Sequence, residues 1–259
     1  MLVANVSRVG LLSDYSRQAL AYDTTRGASP SVLAPLRRSL ADAPGRELVD
    51  IGGGTGNYAL SLAGEGWRPV VVDRSSQMLA HAAEKGLETI RADATRLPLA
   101  DEVFDAAMLV SMLHHLDAPE RALAEARRVL RPGGRLAVML FTREDIADAW
   151  ALDYFPSSRT WMHETHMPLD QLLAELPGAW RAPVAYEDVV DGSLAALLAH
   201  PELLLESRRR TQMSYFERMQ RDHAEELHEG LARLERELGA GTAPRRAGRA
   251  SVVAWVKPS

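Results

Sequence analysis

A glycine cluster at residues 52–56 and an aspartate about 20 residues further on point most directly to chemistry in this chain. The glycines follow the apolar run 47–51, and glycines in such a strand-to-helix turn let bare backbone approach a nucleotide. A helix that begins near Asn57 directs its free N–H groups at the same ligand. Asp73 ends a second apolar run, where its carboxylate can accept both hydroxyls of a ribose. Together these segments predict a site for an adenosine-containing cofactor.

Strand and helix patterns alternate along residues 46–142. Apolar runs that predict strands and amphipathic runs that predict helices follow one another, with Gly64, Gly86 and Pro119 at helix boundaries. The predicted strands are 47–51, 69–73, 88–92, 104–110 and 135–141, and the predicted helices are 57–63, 76–85 and 119–130. A turn is expected at 132–134. This alternation predicts a doubly wound α/β fold, in which helices cover both faces of a mostly parallel sheet.

The other residues flank this core as parts of the same domain. After residue 142 the alternation stops, and the next segment is rich in helical patterns and aromatic residues. Strands are expected at 183–190 and at 250–256, the second as an edge strand, with helices over 193–238. The chain divides into a helical N-terminal cap, a cofactor-binding core, a helical lid for substrate, and C-terminal strands and helices that complete the sheet, at residues 1–45, 46–142, 143–182 and 183–259.

The composition limits the classes of partner. A net charge of −5 gives no general attraction to a phosphate backbone and argues against nucleic acid as the substrate. Cysteine is absent, which excludes disulfides, thiolate nucleophiles and cysteine metal sites. Residues 1–8 lack a basic and then apolar leader pattern, and no segment is long and apolar enough to span a bilayer. We expect a cytoplasmic monomer or homodimer that acts on a small molecule without contacting a membrane.

The predicted lid contains aromatic and histidine side chains that could form a substrate pocket. Trp150, Tyr154 and Phe155 are interpreted either as substrate contacts or as the core of the lid itself. His163 and His166 lie at helical spacing, which also fits an apolar stripe with polar tips. Their spacing resembles a metal-binding pair, but no carboxylate motif accompanies it. The aromatic content favours a planar or apolar substrate.

Four motifs of the core resemble those of class I S-adenosylmethionine-dependent methyltransferases that act on small molecules. They are a glycine turn, an acid before a helix start, a second acid, and a His-His turn followed by Arg-Pro-Gly-Gly, at residues 50–56, 72–79, 92–98 and 113–134. The resemblance covers about residues 20–142 and implies a Rossmann-like sheet of seven strands. A glycine cluster alone also fits an NAD(P)-dependent oxidoreductase, but the last two motifs have no role in that class.

The resemblance implies a role for individual residues of the core. Asp50 would help to hold the amino group of the methionine part of the cofactor, and Asp73 would bind the ribose. Asp93 would accept a hydrogen bond from the adenine amino group, while the Ala94 backbone would cap the ring. The other implied cofactor contacts belong to the glycine turn, to the residues after two strands and to a looser N-terminal match: Gly52, Gly54, Gly56, Arg74, Ser111, Tyr22 and Arg26. No metal signature accompanies the resemblance, and no metal is expected.

The implied reaction is transfer of a methyl group from S-adenosylmethionine to a small molecule, with S-adenosylhomocysteine as the product. Alignment of the two reactants supplies most of the catalysis, and a base is needed where the acceptor must lose a proton. The candidate bases, in order, are His115, His114, His163 and His166. The His114–His115 pair also fits a purely supporting role through a buried hydrogen bond. Open alternatives are an oxidoreductase, a nucleic-acid methyltransferase and a protein that binds the cofactor without transferring its methyl group.

Overall fold

The computed structural model describes residues 26–259, in which seven strands form one sheet. The strands in chain order are β1 (Glu47–Ile51), β2 (Arg68–Asp73), β3 (Glu88–Arg91), β4 (Phe104–Val110), β5 (Leu130–Leu140), β6 (Trp180–Ala185) and β7 (Arg249–Val256). Their order across the sheet is β3-β2-β1-β4-β5-β7-β6. The pairings among β1 to β5 are parallel, whereas β7 is antiparallel to both of its neighbours. The predicted fold class, a mostly parallel seven-stranded α/β sheet, is confirmed.

Helices pack on both faces of this sheet and extend beyond its carboxyl edge. They are α1 (Pro30–Leu40), α2 (Asn57–Ala63), α3 (Ser76–Glu84), α4 (Pro119–Val129), α5 (Arg143–Ala147), α6 (Ser158–Thr165), α7 (Leu169–Glu175), α8 (Leu194–Leu197), α9 (Ser207–Arg210), α10 (Ser214–Asp222) and α11 (Ala224–Gly239). Short 3-10 segments lie at Leu113–His115, Trp150–Asp153 and Pro201–Leu205. Within residues 26–259, no helix has the length and apolar character needed to cross a membrane.

Local sequence signals determine where the helices near the site begin. Ser75 caps α3, because its hydroxyl accepts a hydrogen bond from the backbone N–H of Met78 at 3.3 Å. Pro119 lies in the first turn of α4. Backbone N–H groups in that turn have no acceptor within the helix, so a proline there costs no hydrogen bond. Thr142 and Asp145 form a capping box at the start of α5. The loops that follow the carboxyl ends of β2, β4 and β5 are therefore each ended by a helix that begins at a defined residue.

The sheet is buried on both faces. In β1, Leu48 belongs to the apolar cluster on one face, and Val49 and Ile51 belong to the cluster on the other, as the two-residue period of a strand requires. The strand β4 is buried over almost its whole length, which is typical of parallel strands covered by helices. The carboxyl edge of the parallel strands is left as the place where a ligand can meet the loops.

Two expectations for the C-terminal strands were wrong. The strand β7 lies between β5 and β6 instead of at the edge, and its continuous buried run is typical of a strand covered on both faces. The edge strand at this end of the sheet is β6. Its burial alternates and it contains Pro183, a residue type that sheet edges tolerate because it donates no ladder hydrogen bond. This strand also ends at Ala185, because Asp188 beyond it binds the hydroxyls of Ser29 and Ser31.

The expected turn at 132–134 lies inside β5. Phe104 pairs with Leu130, but Ala106 pairs with Arg135, so the intervening residues form a bulge opposite β4. The backbone of Gly133 has a φ of 76° and donates to the carbonyl of Lys257 at 2.9 Å. The Arg-Pro-Gly-Gly segment thus connects β5 to the chain that leaves β7. Most of the expected N-terminal cap falls on residues 1–25, outside the described residues, and α1 is its helical part within them.

Candidate functional site

The glycine turn after β1 has the backbone geometry that a close ligand needs. Gly52, Gly54 and Gly56 have φ values of 71°, 58° and 74°, a region that side chains disfavour. A Cβ on Gly52 would lie 2.7 Å from Met112, and one on Gly56 would lie 2.4 Å from Leu87. A Cβ on Gly54 would meet nothing within 4 Å. The first and third glycines are therefore required by packing, and Gly54 faces open space.

Two carboxylates lie at the ends of the neighbouring strands β1 and β2. Asp50 is 1% exposed, and within residues 26–259 no donor bonds its Oδ1 atom. Burial, and then the negative charge of Asp73, raises the pKa of Asp50 to about 8. Asp73 accepts the N–H of Gly54 at 3.0 Å and the N–H of Ser75 at 2.8 Å. Burial raises the pKa of Asp73, although these hydrogen bonds oppose the shift. An uncompensated buried oxygen next to open space is suited to a cationic or hydrogen-bond-donating ligand group.

The segment after β3 forms another wall of the same cavity. Asp93 accepts the backbone N–H of Thr95 at 2.8 Å and the Thr95 hydroxyl at 2.7 Å. These hydrogen bonds lower the pKa of Asp93 and keep its carboxylate ionised. Ala94 is buried beside it. Ser111, directly after β4, has a φ of 53°, and such strained backbone occurs preferentially at functional sites.

Three histidines meet where β4 leads into the next helix. The rings of His114 and His115 are 3.9 Å apart between centroids, and His166, at the end of α6, stacks on His114 at 4.8 Å. The Nδ1 atom of His166 lies 2.9 Å from the carbonyl of Met162, so an N–H there leaves the lone pair on Nε2. Burial lowers the pKa of His115 to about 3 and that of His166 to about 4. Burial and the neighbouring imidazoles also hold the pKa of His114 well below its usual value. All three imidazoles are therefore uncharged at neutral pH.

These groups line one cavity of about 560 Å³, within the usual range for a ligand site. It extends from the carboxyl edge of β1, β2 and β4 to the helices α6 and α10. Of the residues named from the sequence, the following line it: Arg26, Asp50, Gly52, Gly54, Asp73, Arg74, Asp93, Ala94, Ser111, His114, His115 and His166. Gly56 does not line the cavity and is the N-cap residue of α2. Tyr22 lies outside the described residues.

The remaining substrate and base candidates do not reach this cavity. Trp150, Tyr154 and Phe155 lie in an apolar cluster under the lid, where the indole of Trp150 donates to the carbonyl of Leu198 at 3.0 Å. The exposed side of α6 carries His163, whose carbonyl accepts a hydrogen bond from Arg143. The structure thus places these four residues in the support of the lid or on its surface.

Sequence reasoning did not identify the wall that α10 contributes. Met213, Tyr215 and Arg218 line the cavity beside Trp161 of α6. The available signal was an apolar and aromatic stripe within an otherwise charged helix over 214–222. Such a stripe predicts burial, but it does not predict which partner the helix meets. This side of the cavity is therefore built by two helices far apart in the chain.

Comparison with known proteins shows what the central part of this chain is similar to. Residues 49–138 match the family model described as a methyltransferase domain. A demethylmenaquinone methyltransferase of Mycolicibacterium paratuberculosis is 40% identical over 106 residues, which are 41% of this chain and 46% of that protein. The chain thus spans somewhat less than half the length of the curated relatives that it matches.

Two solved structures share the fold over most of this chain. A protein of Anabaena variabilis, assigned as a methyltransferase from an antibiotic biosynthesis pathway, has a TM-score of 0.77 at 24% identity, over 89% of this chain and 98% of its own. The phosphoethanolamine N-methyltransferase 2 of Haemonchus contortus, in a complex that includes S-adenosylhomocysteine, has a TM-score of 0.58 at 19% identity, over 94% of this chain and 58% of its own.

The family match and the fold agree with the geometry of the site. The matched residues 49–138 include the glycine turn, both strand-end acids, the segment around Asp93 and the His114–His115 pair. The seven-stranded sheet described above belongs to the fold that this chain shares with the Anabaena protein. Residues 49–138 of this chain are therefore similar in sequence to methyltransferase domains, and the chain shares its fold with the two solved methyltransferases.

Proposed function

We propose that this chain transfers the methyl group of S-adenosylmethionine to a small-molecule acceptor. The observation that carries the proposal is the unpartnered Oδ1 of buried Asp50 beside the open side of Gly54, in one cavity with Asp73 and the histidines. The cofactor supplies an electrophilic methyl group on a sulfonium. The division of the chain into a cofactor-binding core and a substrate-covering lid is part of the same proposal.

The residues at the carboxyl edge fit the parts of the cofactor in turn. Asp50 accepts the ammonium of the methionine part, which satisfies the orphaned oxygen and favours the ionised carboxylate. Asp73 accepts the ribose hydroxyls while its bond to Gly54 keeps the turn open. Asp93 and Ala94 bind and cover the adenine, and Ser111 lies at the methionine end. The open space at Gly54 admits the ligand where any side chain would block it.

The histidine cluster faces the acceptor side of the cavity. Because His114, His115 and His166 are uncharged at neutral pH, they place no positive charge beside a sulfonium. An imidazolium with a pKa of about 4, as for His166, holds a proton only briefly at neutral pH. We therefore assign the cluster to orienting and polarising the acceptor N–H or O–H group, with the proton passed on to water. His163 takes no part, since its side chain lies outside the cavity.

Two alternatives lead to different measurements. The demethylmenaquinone methyltransferases match only 41% of the chain, so their acceptor is one member of the screen and not an assignment. A nucleic-acid methyltransferase would bind RNA or DNA with strong salt dependence, whereas this chain carries a net charge of −5. A protein that uses the cofactor without methyl transfer would bind S-adenosylmethionine and release no S-adenosylhomocysteine.

The test combines cofactor binding with product release. We expect S-adenosylmethionine and S-adenosylhomocysteine to raise the melting temperature, by several degrees at about 100 times the dissociation constant, and NADH and NADPH to leave it unchanged. Asp50→Asn should weaken binding of both sulfur compounds, while Asp42→Asn, at an exposed acid outside the cavity, should not. A screen of small aromatic acceptors should then release S-adenosylhomocysteine. Stabilisation by a nicotinamide cofactor alone, or binding with no product from any acceptor class, would contradict the proposal.

A further inference from the structure

Two N–H groups of Arg218, on α10, are buried and have no hydrogen-bond acceptor within residues 26–259. Their nitrogen atoms are Nε and Nη1. The nearest acid, Asp222, has its Oδ2 atom 3.6 Å from Nε, which is beyond a hydrogen bond. Burial lowers the pKa of Arg218, as expected of a guanidinium that is partly removed from solvent. Buried donors without a protein acceptor are rare, and a bound water, ion or ligand group can complete them.

Trp161 of α6 adds a third donor at the same wall. The guanidinium of Arg218 lies 4.6 Å above the Trp161 ring, a cation–π contact that fixes the plane of the fork. Trp161 is 8% exposed, and its Nε1 atom is buried with no acceptor among residues 26–259. Tyr215, whose ring is 5.2 Å from that of Trp161, already donates its hydroxyl to Ser158 at 2.9 Å. The wall therefore offers N–H donors and apolar surface, with the tyrosine hydroxyl already engaged.

The position of this wall relates it to the reacting end of the cavity. Trp161 lies in α6 and His166 directly follows the last residue of that helix, so the two positions are about 7 Å apart along the helix axis. A ligand held at Arg218 and reaching the histidines therefore has the length of a small aromatic molecule. Its body would lie against the Trp161 and Tyr215 rings.

The charges around Arg218 favour a singly charged group over a doubly charged one. Asp222 is held by Arg221 through two hydrogen bonds of 2.7 and 2.9 Å. Two negative charges, those of Asp222 and Glu164, and one positive charge, that of Arg221, act on Arg218. The negative charges of these acids would repel a dianion more strongly than a monoanion. A carboxylate presents two oxygens to the guanidinium fork with only one unit of charge.

We propose that Arg218 and Trp161 anchor the methyl acceptor, and that this acceptor is an aromatic or similarly apolar molecule with a carboxylate. The inference rests on the proposed function for the reaction itself. It adds the chemical class of the substrate and two specificity-determining residues. A phosphate ester also presents anionic oxygen atoms to a guanidinium. The test therefore compares carboxylates with a phosphate ester.

The experiment measures binding of matched acids and amides by calorimetry. The probes are benzoate, 1-naphthoate and indole-3-acetate, each with its amide, and phenyl phosphate, added to the protein with and without S-adenosylhomocysteine. We expect at least one acid to bind about tenfold or more tightly than its amide, since charged hydrogen bonds contribute at this level. Arg218→Gln should remove that preference, and Arg218→Lys should keep part of it. Trp161→Phe should reduce it while the ring contact remains.

A matched control removes charge elsewhere on the lid. Arg159→Gln, at an exposed arginine on α6 that pairs with Asp153, should keep the preference for the acid. Equal binding of every acid and its amide, survival of the preference in Arg218→Gln, or tighter binding of phenyl phosphate than of every acid would overturn the inference. Affinity for S-adenosylhomocysteine is measured in the same variants and should stay constant. If the unaltered protein does not bind S-adenosylhomocysteine, the proposed function is refuted. The comparison of acids with amides can still be made in the absence of S-adenosylhomocysteine, so the two failures are distinguishable.

Discussion

The carboxylate of Asp73 accepts the backbone N–H of Gly54 at 3.0 Å, so the acid that ends β2 holds the turn that follows β1. The same side chain also accepts the N–H of Ser75 at the start of α3. Asp73 thus connects the two loops between which the proposed cofactor lies. Its removal affects both the ribose contact and the shape of the turn.

Asp73→Ala is expected to weaken binding of S-adenosylhomocysteine by roughly ten- to a hundredfold. Each hydrogen bond that involves a charged group contributes about 1.5–3 kcal/mol, and the ribose loses its acceptor. Calorimetric titration measures the change. Asp73→Asn, which keeps an oxygen for the Gly54 N–H, should retain more of the fold stability than the alanine variant. An unchanged dissociation constant in both variants would remove Asp73 from the cofactor site.

Alanine at two glycines of the turn separates binding from stability. Both substitutions place a side chain at positive φ, at a cost of about 1–2 kcal/mol. Gly54→Ala adds a methyl group that projects into open space, so we expect loss of cofactor binding with only that modest destabilisation. Gly56→Ala puts the methyl group 2.4 Å from Leu87 and should cost about 1–3 kcal/mol more. Denaturant unfolding and cofactor titration of the pair check this, and equal effects on stability would contradict it.

Stability should fall as the pH is lowered from about 6.5 to about 4, because burial disfavours the charged form of the histidine cluster. The pKa of His166 in the folded chain is about 4, whereas an unfolded histidine titrates near 6.5. The unfolded chain therefore binds more protons across this window, and acid favours unfolding. His166→Gln should flatten the dependence by an amount on the order of 3 kcal/mol. Urea unfolding at a series of pH values measures it, with His163→Gln as the control that should keep the full slope.

Replacing the cluster histidines should lower turnover without changing cofactor affinity. With an acceptor found in the product-release screen, we expect His114→Asn, His115→Asn or His166→Asn to reduce kcat, by about a hundredfold for the most important position. His163→Asn, on the exposed side of α6, should retain full activity. Should all four variants keep the original kcat at every pH, alignment of the reactants alone would account for the rate.

Phe155→Leu is expected to act on the stability of the lid and not on acceptor binding. Phe155 is fully buried, with its ring 5.8 Å from Phe216 and 6.3 Å from Tyr215. A loss of about 1–2 kcal/mol for removing part of a buried ring corresponds to a melting temperature lower by roughly 2–8 °C. A raised KM for the acceptor at an unchanged melting temperature would instead indicate a direct substrate contact.

The parts of the fold that the sequence predicts correctly are those determined by local chemistry. The strands before Gly52 and at Asp73, and the helices after Gly56 and Ser75, follow from apolar runs and turn residues within a few positions. The placement of β7 depends on its pairing with β5 and β6, which no local pattern records. The continuous apolar run of β7 and Pro183 in β6 indicate only which of the two strands is covered on both faces.

The two halves of the candidate site differ for the same reason. The cofactor half comes from loops of one sheet edge, so residues such as Asp50 and Asp93 can be located from strand ends. The acceptor half depends on how α10 packs against α6. The partnership of Trp161 with Arg218 spans 57 positions and cannot be located from periodicity. Trp150 and Tyr154 look equally suitable in the sequence, but they pack under the lid.

The edge strand β6 also bears on how copies of this chain behave at high concentration. An exposed strand edge is a template for sheet extension by a second molecule. Here Pro183 removes one backbone donor from that edge, and Arg181 spans to Ser251 and to the buried Asp145 at 2.8 and 3.0 Å. Proline and charge on an edge strand are the means by which natural sheets resist edge-to-edge aggregation. The residues of β6 are therefore expected to disfavour polymerisation of the folded chain through this edge of the sheet.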